Sequence, residues 1–271
     1  MARGLGVVGR LLDAAYLQRP PLQWFVKQCA SDNVTWRALR ARLQAEADPV
    51  VAERYKQIAP TGGSVLGIKV PVLRAIAREY AGKEKGLGAS DAVGMADAAF
   101  ASGCREEMLL ATFLVARFKT KFEASHWGKI DRWIDRIDNW ESCDQLATGV
   151  AGEMIGRTTA AQKQIWVRDL GRWTQSPNPW RRRFAVATTT ALNQKGRSDC
   201  QTCLRICERL ICDSDRNVRK AVAWALREAC KSDPGAVFAF LESNRGRMPR
   251  TVLRESAAKL TPAQRASLGV R

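Results

Sequence analysis

NVRKAVAWALREAC, Asn217 to Cys230, is the stretch that decides the fold. Val218, Ala221, Val222, Ala225, Leu226 and Ala229 recur at i, i+3, i+4, i+7, i+8 and i+11, which is one buried stripe along an α-helix. Asp213 and Ser214, just upstream, are expected to cap that helix, since short polar side chains accept hydrogen bonds from the free amides of a first turn. Strand signals are scarce: sustained polar and apolar alternation is rare, and Ala, Leu and Arg dominate amphipathic stretches at helical spacing. The fold class is all-α.

Outward from that helix the pattern repeats. Comparable stretches begin near Gly103 (GCREEMLLATFL), Trp140 (WESCDQLATGVA), Trp180 (WRRRFAVATTTA) and Asn217, at separations of 37, 40 and 37 positions. A unit of about 40 residues holding two helices is the period of HEAT-like arrays, so an α-solenoid, a superhelix of antiparallel helix pairs with an extended concave basic face, is expected. The partner helices fall near Phe122 to Ile137, Ala160 to Trp173 and Asp199 to Ile211. Upstream, Thr35 to Ala47, Pro49 to Gln57 and Val70 to Tyr80 read as helices; downstream, Ala236 to Glu242, Pro249 to Lys259 and Pro262 to Leu268 close the array. The glycine-rich turn PTGGSVLG, Pro60 to Gly67, lacks the Lys-Ser/Thr ending and preceding strand of a phosphate loop. Residues 1–32 form an amino-terminal extension, loosely ordered or an end cap, and 33–271 one repeat domain.

Lys and Arg number 44 against 27 Asp and Glu, a net charge of +17 that a single histidine barely modulates, and such a field favours polyanionic partners. No run approaches the roughly 18 apolar residues of a membrane span, and the start, MARGLGVVGRLLDAAYLQRP, lacks the core and cleavage site of a secretory signal. Eight cysteines in a chain of 271 residues suit reduced thiols in the cytoplasm.

Against this basic background, Asp131, Asp135, Asp138, Glu141 and Asp144 fall within fourteen positions beside Trp133 and Trp140. Asp138 and Glu141 have capping-box spacing, so the first is expected to cap the helix and the second to favour its positive end. Asp131 and Asp135 lie on the preceding helix, off its stripe of Trp127, Ile130, Trp133, Ile134 and Ile137, and read as a solvated face. Asp144 remains. It stands four residues after Trp140, a stacked neighbour on one side of a helix, and both flank the stripe Cys143, Leu146, Ala147, Val150 and Met154. Trp224 lies about 130° from the centre of its own apolar stripe, among Asn217, Lys220 and Arg227; it faces either a ligand or a neighbouring helix pair. WRRRF sets Arg181, Arg182 and Arg183 at a helix start, where amides already favour phosphate oxygens.

The combination DNWESCD, NPWRRR and VRKAVAWALRE, in that order, with ERYKQ and LGIKVPVLR before it, resembles the HEAT-like-repeat alkylpurine DNA glycosylases of the DNA alkylation repair family, from about Ala45 to Leu260. By motif position the resemblance implies that Asp144 is the catalytic carboxylate, Trp140 and Trp224 flank the lesion nucleotide, Arg183 holds its backbone and Tyr55 lines the same face. The extension departs from the family pattern.

That chemistry suits these residue types. A purine alkylated at N3 or N7 is cationic and leaves as a neutral base without a general acid, so only the sugar needs help: a carboxylate near the anomeric carbon stabilises the developing oxocarbenium ion and orients water. Indole faces offer electron-rich surfaces to a cationic nucleotide. No cofactor is expected; the partner is duplex DNA containing alkylated purines, with no membrane, and the protein is a monomer of the cytoplasm associated with the nucleoid through DNA. The alternative is a non-catalytic DNA-binding solenoid with Arg181, Arg182, Arg183, Arg219 and Lys220 on phosphates, or a protein-interaction scaffold. Cys200, Cys203, Cys207 and Cys212 admit a metal site, but the first three fit a buried helix stripe; His126, alone beside Trp127, reads as a surface or packing residue.

Overall fold

A computed structural model of the chain describes residues 34–81 and 87–270, and every regular element among them is helical. The extension expected at 1–32 lies outside the described residues. Three helices open the chain: α1 (Val34–Ala45), α2 (Pro49–Ile58) and α3 (Val70–Tyr80). They are followed by α4 (Ala89–Ser102), α5 (Arg105–Arg117), α6 (Trp127–Ile134) and α7 (Trp140–Leu146), the last running through a π-helical turn, Ala147–Ala151, into α8 (Gly152–Ile155). Then come α9 (Ala160–Trp173), α10 (Pro179–Ala191), α11 (Cys200–Glu208), α12 (Arg216–Ala229), α13 (Pro234–Asn244), α14 (Arg250–Ser256) and α15 (Pro262–Ser267).

The starts are written locally. Pro49, Pro179, Pro234 and Pro262 each occupy a first helical position, where a missing N–H costs nothing, behind Asp48, Asn178, Asp233 and Thr261, whose side chains accept from first-turn amides. Two expected caps move by one or two residues. Asp215, not Asp213 or Ser214, caps α12, accepting from Asn217 N at 2.7 Å and Val218 N at 3.1 Å. Asn139, not Asp138, caps α7, accepting from Ser142 N at 2.9 Å. The helix expected over Phe122 to Ile137 is α-helical only in α6; two 3₁₀ turns, Lys119–Lys121 and Ala124–His126, precede it. Helix α4 is not singled out by the sequence, because Ala-rich ASDAVGMADAAFAS gives little contrast between its faces, yet it buries Ala92, Val93, Met95, Ala96, Ala99 and Phe100.

The pairs stack in two rows. Helices α5, α7, α10, α12 and α14 lie successively against one another, while α4, α6, α9, α11 and α13 form a sparser second row. Aromatic stacking joins part of that second row: Trp127 of α6 stacks between Trp166 and Trp173 of α9, at ring centroids of 4.9 and 5.5 Å, and Trp173 meets Phe184 of α10 edge-on. The α12 stripe read from the sequence, Val218 to Ala229, is entirely inaccessible and packs between α10 and α14.

Close approach of α8 to α10 depends on Gly152. A Cβ there would lie 2.5 Å from the Ala191 Cβ and 3.0 Å from the Thr188 carbonyl oxygen. Gly152→Val is therefore expected to lower stability by about 1–3 kcal/mol in urea denaturation. Gly149→Ala, on the preceding π turn with nothing within 4 Å of a built Cβ, is expected to leave stability unchanged or raise it by up to about 1 kcal/mol.

Candidate active site

Three consecutive arginines begin α10, and successive residues on a helix point about 100° apart. The run therefore divides among three neighbours. Arg181 turns to α6, donating from Nη1 to Asp131 Oδ1 at 2.6 Å and from Nε and Nη2 to Asp135 at 2.7 and 2.8 Å. Arg182 takes Asp213 in the α11–α12 connection, from Nε at 2.7 Å and Nη2 at 3.0 Å. Arg183 turns to α7, donating from Nε to Asp144 Oδ1 at 2.9 Å and from Nη2 to Asp144 Oδ2 at 2.7 Å. Its remaining nitrogen, Nη1, reaches the Asn217 carbonyl on α12 at 2.5 Å. One guanidinium thus joins α7, α10 and α12.

This pair is nearly enclosed, with side-chain exposures of 7% for Arg183 and 14% for Asp144. Burial pushes the Asp144 carboxyl above the usual carboxylate range, and the Arg183 guanidinium offsets this only in part. The Asp144 backbone carbonyl accepts from Thr148 Oγ1 at 2.7 Å immediately before the π turn.

Of the other acids, Asp131 and Asp135 are not simply solvated but share Arg181. Asp138 accepts from Thr61 Oγ1 at 2.7 Å and Gly62 N at 2.6 Å, so it clamps the loop between α2 and α3. Glu141, expected at the helix end for its charge alone, accepts from Arg105 Nε and Nη2 at 2.8 and 2.6 Å.

Arg105 and Glu106 carry a buried network that the motif reading missed. Arg105 is wholly inaccessible and also donates from Nη1 to Glu106 Oε1 at 2.6 Å. Glu106 in turn accepts from the amides of Leu66, Gly67 and Ile68 at 2.8, 3.0 and 3.3 Å. The glycine-rich loop does present converging amides to an anion, but the anion is the chain's own carboxylate. Gly67 is required there: its φ is +83°, and a Cβ would stand 2.0 Å from the Asp48 carbonyl oxygen. The signal available in the sequence was a charged REE triplet, Arg105 to Glu107, opening an otherwise largely apolar helix yet buried with it.

Through this network Tyr55 and Trp140 are tied to the same region. The Arg105 guanidinium carbon lies 3.7 Å from the Tyr55 ring centroid, and Trp140 Nε1 donates to the Ile58 carbonyl at 3.0 Å, so α2 is bound to α5 and α7. Trp140, Asp144, Tyr55 and Trp224 are all half-buried, with Trp224 seven residues along α12 from Asn217. Arg219 donates to the Asp213 and Ser214 carbonyls at 2.6 and 2.7 Å; Lys220 is exposed and Arg227 half-buried.

Most of the described cysteines belong to packing. Cys200, Cys203 and Cys207 are buried on α11, and Cys212 is exposed, donating to the Arg247 carbonyl at 3.0 Å. Burial pushes the Cys200 thiol up to about 12. Among the described residues no three metal-ligating side chains converge. His126 is half-buried against Phe122 and accepts from Glu123 N at 3.0 Å. Among those residues, too, no helix is long and apolar enough to cross a membrane.

The model of a family described as DNA alkylation repair enzyme matches residues 39–260. A solved structure described as a predicted DNA alkylation repair enzyme from Enterococcus faecalis superposes with a TM-score of 0.67, covering 80% of this chain and 98% of that one at 16% identity, a likeness of fold. No curated protein matches the chain.

Removing the guanidinium isolates its effect on the acid. In Arg183→Met the Asp144 carboxyl is expected to titrate at higher pH than in the wild type, followed by NMR of the aspartate side-chain carbons against Asp144→Asn for assignment. An unchanged midpoint would show that the pairing does not govern the acid.

Proposed function

Since the chain belongs to the DNA alkylation repair enzyme family, we propose that it is a DNA glycosylase that hydrolyses the N-glycosidic bond of N3- or N7-alkylated purines in duplex DNA. The observation that carries this reading is the state of Asp144: one carboxylate, nearly enclosed beside Trp140 on α7, held in a fixed direction by Arg183. A carboxylate offers about four lone-pair directions, and the bidentate contact uses one on each oxygen. Two remain for a sugar or a water.

In the proposed reaction the alkylated base already carries the positive charge that weakens its bond to C1′. The bond breaks, the electron pair leaves with the base, and the base departs neutral. Positive charge then resides on the deoxyribose ring, where the Asp144 carboxylate stabilises it and accepts a proton from the water that attacks C1′. Low exposure strengthens that interaction, because few waters screen it. Trp140 and Trp224 supply ring faces for the cationic nucleotide, Tyr55 lines the same side, and Arg183 serves as a positioning residue for the acid while lying close to the backbone of the damaged strand.

Arg181 and Arg182 are bonded to carboxylates, so they contribute to a phosphate surface only with those charges already largely compensated. Exposed Lys220, with Arg219 and Arg227 on the same helix, is the freer source of phosphate contact.

Asp144→Asn keeps the shape of the acid and removes its charge. Release of free base from methylated duplex DNA, read by chromatography, is expected to fall about 10²–10³-fold while affinity for the unreacted duplex holds; the melting temperature falls but the chain stays folded, because the buried Arg183 guanidinium loses its counter-charge. A variant that binds and turns over normally removes Asp144 from the mechanism; a wild type that binds DNA with steep salt dependence yet frees no base supports the non-catalytic reading. Because the ionised form is needed and its pKa is raised, wild-type turnover should drop on the acid side at a higher pH than an ordinary aspartate would impose.

A further inference from the structure

A second cationic surface lies apart from every residue of the proposed site. Between α9 and α11, in the sparser row of helices, runs an open groove of about 640 Å³. It is lined by Arg168 and Arg172 of α9, Arg205 of α11 and Arg209 just beyond it, with Val167 and Ile206 as its aliphatic residues. Along α9 it extends from Ala160 to Gln175, about 22 Å at 1.5 Å per residue.

The charge in this groove is only partly compensated. Arg172 pairs with Asp169 and neighbouring Lys163 with Asp199, each at 2.8 Å. Arg168, Arg205 and Arg209 are exposed and meet no carboxylate among the described residues; Arg205 donates to Thr202 Oγ1 and Arg209 to the Gly171 carbonyl, both neutral acceptors. Three uncompensated guanidiniums lining the same groove as Val167 and Ile206 favour an occupant that brings both carboxylates and aliphatic groups.

We propose that this groove docks an acidic amphipathic helical segment of a partner protein. Aliphatic anchors at i, i+3 and i+4 seat on Val167 and Ile206, and flanking Glu or Asp meet the arginines, the pattern of a helix laid in a groove. The chain's own extension has the wrong sign, with Arg3, Arg10, Arg19 and Lys27 against Asp13 and Asp32. A second copy, at +17, is repelled for the same reason. Duplex DNA supplies phosphates but nothing aliphatic to cover Val167 and Ile206.

The test uses the full chain, a fluorescein-labelled 14-residue Glu/Leu peptide in amphipathic order, a matched Glu/Ser peptide and an undamaged duplex, with anisotropy read at physiological ionic strength. The wild type is expected to bind the Glu/Leu peptide at least tenfold more tightly than the Glu/Ser peptide. The exposed double variant Arg168→Glu/Arg205→Glu should lose at least tenfold of that affinity, with duplex binding held within twofold. Equal affinity for the two peptides, no binding of either, or unchanged peptide binding by the double variant each overturns the proposal. Duplex affinity that falls while peptide affinity holds assigns the groove to DNA and overturns it as well.

Discussion

The pairing of Asp144 with Arg183 is the constraint from which the site follows. A nearly enclosed ion pair is expensive to form, since both charges give up water, and it persists only where geometry returns most of that cost. Here the return comes from two parallel hydrogen bonds to the carboxylate and a third to the Asn217 carbonyl, so the cost is met only when α7, α10 and α12 stand in one arrangement. The same enclosure that makes the pair costly raises the acid and leaves its remaining lone pairs poorly screened. The joining of three helices and the raised carboxyl therefore share one cause.

A second polar knot holds the other flank. Glu106 and Glu141 grip Arg105 from both sides, and Glu106 also orders the loop after α2 through three amides. Stacked on that guanidinium, Tyr55 is fixed relative to α7, and Trp140 is bonded back to the end of α2. The chain's surplus of basic residues is thus not concentrated at the proposed site, where arginine and carboxylate are closely matched. It lies on exposed side chains such as Lys220 and on the groove between α9 and α11.

Helices were legible because burial imposes a period. The stripes of α6, α7 and α12 are buried as the sequence spacing requires. Ala-rich α4 was not, since small residues on every face leave no period to read. Acids near Trp140 illustrate what remains hidden. Spacing alone assigned Asp138 and Glu141 to a capping box and Asp131 and Asp135 to solvent, but each is claimed by a group 36 to 77 positions away, and such partners are chosen by tertiary packing. WRRRF shows the same limit: a run that reads as one basic surface is divided three ways by helical geometry. Asp144 stood out because neither capping nor solvation accounted for it, and its motif resemblance gave it a role; the arginine that locks it and the desolvation that raises it are properties of the folded chain.

In the proposed reaction a fixed carboxylate meets positive charge on a deoxyribose. The most direct measurement compares the affinity of the protein for two otherwise identical duplexes, one with a cationic pyrrolidine in place of the damaged sugar and one with a neutral tetrahydrofuran. The cationic duplex is expected to bind at least tenfold more tightly, about 1.4 kcal/mol, and Asp144→Asn to lose that preference. Equal affinity of the wild type for the two duplexes, or a preference that survives Asp144→Asn, would contradict that reaction.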